Sequence, residues 1–150
     1  MENVWKPHAT VAAIIEQNNR FLMVEEVSNG LTVYNQPAGH LDPGESIVDA
    51  AIRETREETA WKFTPEYISG IYRWVQPDSG RTFLRFAFVG SCNDHKRDQP
   101  LDDGIIQAVW LSRDELAAMP EKLRSPMVLR CIDDYLEGQR YPLNLITDID

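Results

Sequence analysis

Apolar and polar positions along the chain change period several times, and each change marks an element. Thr10–Glu16 and Arg20–Glu26 are apolar runs separated by Gln17, Asn18 and Asn19, which predicts two strands joined as a hairpin. Leu31–Tyr34 predicts a short strand that leads into Asn35, Gln36, Pro37, Ala38, Gly39 and His40. After the Asp42-Pro43-Gly44 turn the period becomes helical. Ile47, Val48, Ala51, Ile52 and Thr55 share one face, and Ser46 stands at the N-cap with Asp49 three residues on. Glu66–Gln76 and Arg81–Cys92 predict a long hairpin around Pro77, Asp78, Ser79 and Gly80. The polar stretch Asn93–Gly104 predicts a mobile loop. Gln107–Leu111 predicts a strand, Ser112 caps a short helix through Met119, and Ser125–Glu137 predicts an amphipathic helix stopped by Gly138. Strands interspersed with substantial helices imply an α/β fold in which a mixed sheet is covered on both faces.

The first long helix carries an unusual charge pattern. Glu54, Glu57 and Glu58 project from neighbouring positions on one side. Like charges at these spacings repel by roughly 0.2–0.5 kcal/mol per pair, and the helix C-terminus disfavours anions further. Something positive must offset both terms. A hard divalent cation is the natural candidate, because it seeks carboxylate oxygens and water. A solvated acidic face would explain an ordinary Glu-rich helix. Here the cluster is tied to Gly39, Glu45 and Arg53 at set offsets, a coincidence of about one in 10⁵ at average residue frequencies.

Composition narrows the field. A chain of 150 residues with 43% hydrophobic residues is long enough for one compact domain, and the expected domain spans residues 1–150. Net charge of −9 argues against a nucleic-acid duplex as partner. No run of 18 apolar residues suggests a membrane span, and the first seven residues lack an apolar signal core, so the expected compartment is the cytoplasm. Cys92 and Cys131 are far apart and fit two buried free thiols. No exposed apolar stripe fixes the oligomeric state, which is left as monomer or small homo-oligomer.

The spacing of Gly39, Glu45, Arg53, Glu54, Glu57 and Glu58 resembles the Nudix box residue by residue. Thr55 stands where that family has an aliphatic residue, and Ala60 replaces its glycine after the helix. That glycine takes a left-handed conformation, so alanine there leaves the exit turn open to question. Segments outside the box, among them Arg73–Asp78, Phe83–Phe86, Leu123–Pro126 and Gly138–Leu143, are similar to the NudJ phosphatase group of this superfamily. The resemblance implies an α/β/α sandwich. It also implies hydrolysis of phosphoanhydrides in nucleoside tri- and diphosphates, and in the pyrimidine pyrophosphate of thiamine synthesis, with release of phosphate.

The residues suit that chemistry. No Ser-His or Cys-His arrangement is indicated, so water supplies the nucleophile. Mg²⁺, with Mn²⁺ as a substitute, would neutralise phosphate charge. Glu54 and Glu58 are the first metal ligands expected, and Glu57 is a third ligand or the general base. The resemblance adds the Ala38 or Gly39 carbonyl and an acid from a later loop, where Asp102 and Asp103 both stand. Arg53 is expected to pair with Glu45 and orient the carboxylates. Arg85 either points inward to hold a phosphate or is salt-bridged at the surface. Trp74 and Phe83 stack on a base or pack in the core. His40 contacts phosphate or is structural, and His8 and His95 receive no role. Two other functions are kept open: a housecleaning pyrophosphohydrolase that releases pyrophosphate, and a non-catalytic nucleotide-binding module.

Overall fold

A computed structural model describes residues 3–149, so Met1, Glu2 and Asp150 lie outside the described residues, as do the ends of the expected domain and opening segment. The chain forms β1 (His8–Ile14), β2 (Glu16–Gln17), β3 (Arg20–Ser28), β4 (Leu31–Asn35), β5 (Ala38–His40) and α1 (Ile47–Thr59). These are followed by β6 (Lys62–Val75), β7 (Thr82–Asn93), β8 (Ile105–Leu111), α2 (Arg113–Ala117) and α3 (Met127–Leu136). Single 3₁₀ turns at Pro120–Lys122 and Leu143–Leu145 complete it.

The strands form two sheets. The first is mixed, in the order β5-β1-β7-β6. Its β1 runs parallel to β7 and antiparallel to β5. In the second sheet β3 pairs antiparallel with β2, β4 and β8. The hairpin expected between the first two runs is therefore corrected. A tight turn does exist, with Asn18 and Asn19 both left-handed at φ 52° and 64°, but it joins only β2 to the start of β3. Both edges of β1 are taken by β5 and β7, so none is left for β3.

Alternation along β1 and β7 divides their side chains between two apolar layers. Val11, Ala13 and Phe88 pack with Ala50 and Ala51 of α1. Ile14, Ala87 and Val89 pack with Val128, Cys131 and Ile132 of α3. The mixed sheet thus carries a helix on each face.

Several boundaries differ from expectation for local reasons. β6 starts at Lys62, four residues before Glu66, because register shifts at Pro65/Tyr67 and Ile68/Gly70 break the period of two that would reveal it. Opposite the first shift stands Gly90, where a Cβ would fall 2.0 Å from the Thr64 carbonyl oxygen. α3 starts at Met127 instead of Ser125, with Pro126 at its N-cap. Ser125 Oγ accepts from the Met127 N–H. Ser46 caps α1 as expected, accepting from the Asp49 N–H at 3.0 Å. Ala60 takes the left-handed exit position at φ 63° despite its Cβ.

The Asn93–Gly104 stretch is not a free loop. Lys96 N–H donates to the Ala60 carbonyl, Gln99 Nε2 to the Arg56 carbonyl and Asp102 N–H to the Glu57 carbonyl. These acceptors lie at the end of α1, and the Arg56 carbonyl also accepts the Ala60 N–H at 2.9 Å. Cys92 is half-buried and Cys131 buried, and both are free. Among the described residues no helix is long and apolar enough to cross a membrane.

Candidate active site

The β5–α1 connection sets Glu45 and α1 against the end of β5. Asp42 N–H donates to Glu45 Oε1 at 2.8 Å, which fixes the carboxylate above the helix start. Arg53 then grips it with two bonds, Nε to Oε2 at 2.9 Å and Nη2 to Oε1 at 2.7 Å. The same guanidinium reaches three further acceptors. Nη1 donates to Glu54 at 2.8 Å and to Glu57 at 3.2 Å, and Nη2 donates to the His40 carbonyl at 3.0 Å. Arg53 therefore supplies part of the positive charge that the glutamate cluster demands. The Arg53 hydrogen bonds pull the Glu45 carboxyl below its ordinary range. The same contacts, the Glu45 pair foremost, raise the affinity of Arg53 for its proton.

Glu54 sits against the backbone of β5. A Cβ on Gly39 would lie 2.2 Å from its carboxylate carbon, so glycine here leaves room for the Glu54 carboxylate against the strand. Burial raises the Glu54 pKa, against the pull of Arg53. Glu58 is more deeply buried and accepts the Ala38 N–H at 2.9 Å. Burial pushes it up to about 9, opposed by the Ala38 amide and helped by the charges of Glu54, Glu26 and Asp102.

The carboxylates that converge are Glu54, Glu57 and Asp102, with one oxygen from each within 4.8 Å of the others. Of the two loop acids expected, Asp102 is the one brought to the cluster, by its own backbone bond to the Glu57 carbonyl. Glu58 lies outside this triad, engaged with Ala38. Three hard oxygen donors, one of them desolvated, suit a divalent cation.

Beside the triad a cavity of about 210 Å³ is lined by Ala38, Gly39, His40, Glu58, Trp74, Phe83 and Arg85, among others. The register of β1, β7 and β6 sets His8 opposite Phe83 and Phe83 opposite Trp74. Their rings form a row: His40 to His8 at 5.3 Å, His8 to Phe83 at 5.3 Å, Phe83 to Trp74 at 5.9 Å. Burial lowers the His40 pKa, with His8, Arg124 and Arg81 adding to it. One step further along the strands, Thr10 stands opposite Arg85. Arg85 is 3% exposed, which excludes the salt-bridged surface alternative.

His8, given no role from the sequence, belongs to this row, whereas His95 packs on Trp61. Asn35 and Arg124 also line the cavity and were missed. The polar Asn35-Gln36 pair before Pro37, both buried, was the available signal. Arg124 pairs with Glu26.

The model of the NUDIX domain matches residues 6–130. The chain belongs to the Nudix hydrolase family. This Nudix hydrolase is 41% identical over 147 residues to "Phosphatase NudJ" of Escherichia coli K12, covering 98% of this chain and 95% of the relative. It superposes on a NUDIX hydrolase from Nitrosomonas europaea with TM-score 0.94 and 48% identity, covering 96% of this chain and 98% of that one. A MutT protein from Methanosarcina mazei Go1 shares the fold, with TM-score 0.71 and 23% identity over 91% of this chain and 99% of that one.

Three outcomes follow from this geometry. Gly39→Ala should displace Glu54 and abolish most turnover while circular dichroism stays native. Arg53→Gln and Glu45→Gln should be coupled by roughly 0.5–3 kcal/mol in a double-mutant cycle of stability. Simple additivity would mean that the pair contributes nothing. The third outcome concerns pH in EDTA. Glu58 binds its proton more tightly folded, near pH 9, than unfolded, near 4.5. Its contribution is therefore full below 4.5 and lost as pH rises towards 9. Melting temperature in EDTA should fall between pH 5 and pH 9, and Glu58→Gln should flatten that fall.

Proposed function

We propose that this Nudix hydrolase removes phosphate from nucleoside tri- and diphosphates, and from pyrimidine pyrophosphates, by attack of water on a phosphoanhydride. The observation that carries the reading is the convergence of Glu54, Glu57 and Asp102 beside a cavity that holds Arg85 and a row of rings. The name of the 41% identical relative, a phosphatase, supports release of phosphate over pyrophosphate.

In this reading Glu54, Glu57 and Asp102 hold Mg²⁺, or Mn²⁺ in its place, with Glu58 and the Ala38 and Gly39 backbone as further support. When bound, the cation neutralises phosphate charge and aligns the anhydride for in-line attack. Glu57 is the most accessible of the helix glutamates at 33% side-chain exposure, and takes the proton of the attacking water. Arg53 touches no substrate. It orients the carboxylates, and Glu45 holds Arg53. His40 meets a phosphate at the mouth, and Trp74 with Phe83 offers a face to the ring of the substrate. Two free thiols suit a reducing cytoplasm.

Turnover of nucleoside diphosphates should vanish in EDTA and return with Mg²⁺ or Mn²⁺. Glu54→Gln should lose at least about 10²-fold in kcat while melting as a folded protein. The product, followed by ³¹P NMR, should be orthophosphate. Pyrophosphate instead would establish the housecleaning alternative, and absence of turnover on any nucleotide with Mg²⁺ would establish the binding module.

A further inference from the structure

Arg85 differs from the other arginine that organises this site. Arg53 is surrounded by carboxylates, whereas the partners of Arg85 are neutral. Its Nη1 donates to Gln36 Oε1 at 2.9 Å and lies 3.8 Å from the Cys131 Sγ, and its Nη2 donates to Asn35 Oδ1 at 3.0 Å. Among the described residues no carboxylate oxygen lies within 4.0 Å of it. Among the described residues its Nε is the one buried side-chain nitrogen or oxygen that lacks any partner. Three of the five guanidinium N–H groups are thus directed to neutral acceptors. The Nε–H and one Nη2–H are left, on neighbouring nitrogens.

A buried cation without a counter-charge costs several kcal/mol, and an unmet donor adds to that. Its position gives it a use. Arg85 lines the cavity beside the carboxylate triad, two strands away from β5, about 10 Å at ordinary strand spacing. Behind it stands α3 through Cys131, and Asn35 and Gln36 hold its far end. At 3% exposure the guanidinium is reached only by the end of a ligand. Two adjacent N–H groups match two oxygens of one phosphoryl group. A base carbonyl would fill one donor and leave the charge unmet.

We infer that Arg85 seats a terminal phosphoryl group, and so selects substrates whose phosphate chain has a free end. The inference rests on the phosphoanhydride hydrolysis proposed above. It deepens that reading by separating nucleoside di- and triphosphates from diphosphates capped at both ends. The Arg85 station needs no metal, because its charge is permanent.

The test uses the full chain in EDTA, where the carboxylate cluster plays no part in anion binding. Inorganic phosphate and pyrophosphate should each raise the melting temperature of the wild type, and adenosine should not. Arg85→Gln should abolish the rise. With Mg²⁺ restored, Arg85→Gln should lower kcat/KM for ADP by about 10- to 100-fold, the loss of a charge-assisted contact, and change that for ADP-ribose far less. Arg85→Lys keeps the charge and loses the fork, and should fall between the two. Equal losses on ADP and ADP-ribose would overturn the inference. So would stabilisation by adenosine but not phosphate, which would make Arg85 a reader of the base. If Arg85→Gln does not fold, the wild-type phosphate arm and Arg85→Lys decide alone. Failure of the enzyme to turn over any nucleotide would refute the proposed function, yet leave the phosphate arm in EDTA as an independent result.

Discussion

One guanidinium holds the carboxylate-bearing end of this protein together. Arg53 ties a loop carboxylate, two helix carboxylates and a strand carbonyl through a single planar group. Each tie fixes something different. The Glu45 fork sets the start of α1, the His40 carbonyl sets the distance from α1 to β5, and the bonds to Glu54 and Glu57 aim both side chains. Lysine could not replace it, since a point charge cannot meet acceptors in four directions with one rigid geometry. The approach of α1 to β5 that results sets the Glu54 carboxylate in the space that a side chain at Gly39 would fill. Glycine and arginine, 14 residues apart in sequence, are thus two parts of one constraint.

The two sheets have separate tasks. The mixed sheet carries the ring row and Arg85, and the second sheet closes the cavity with Glu26 and Asn35. The cavity is therefore a seam between the two sheets, and the chain crosses it within two residues, from Asn35 at the end of β4 to Ala38 at the start of β5. The Arg124–Glu26 pair stands at that seam, between the second sheet and the segment leading into α3. It places an ion pair where the two halves meet.

The sequence revealed the parts that local chemistry dictates. The helix, its Ser46 cap, the Arg53–Glu45 pair and the proximity of Glu54 to Glu57 were readable because their spacing is set within two or three turns of chain, whereas Glu58, expected with them, turns to the Ala38 amide. The pairing of β1 was not readable, because an apolar run does not record which strand lies beside it. Lys62–Pro65 escaped because the bulges disturb the alternation. Asp102 and Asp103 look alike as residues. Only the backbone bond to the Glu57 carbonyl distinguishes them, and that bond spans 45 residues. Arg85 left both its readings open for a similar reason. Alternation placed it on a face, but the identity of that face depends on α3, which follows some 40 residues later.

Ala60 gives the loop after β7 a significance beyond the Asp102 carboxylate it carries. A left-handed alanine ends α1, and Lys96, Asp102 and Gln99 donate to the carbonyls of Ala60, Glu57 and Arg56 around that end. The last turn of the helix and the loop consequently share one set of hydrogen bonds. Opening either one removes hydrogen bonds from the other, so the two are coupled in local unfolding. Fraying of the helix end and loss of Asp102 from the cluster are then linked through the Glu57 carbonyl. In amide exchange the Lys96 and Asp102 protons would report on the integrity of the carboxylate cluster, although neither amide lies inside it.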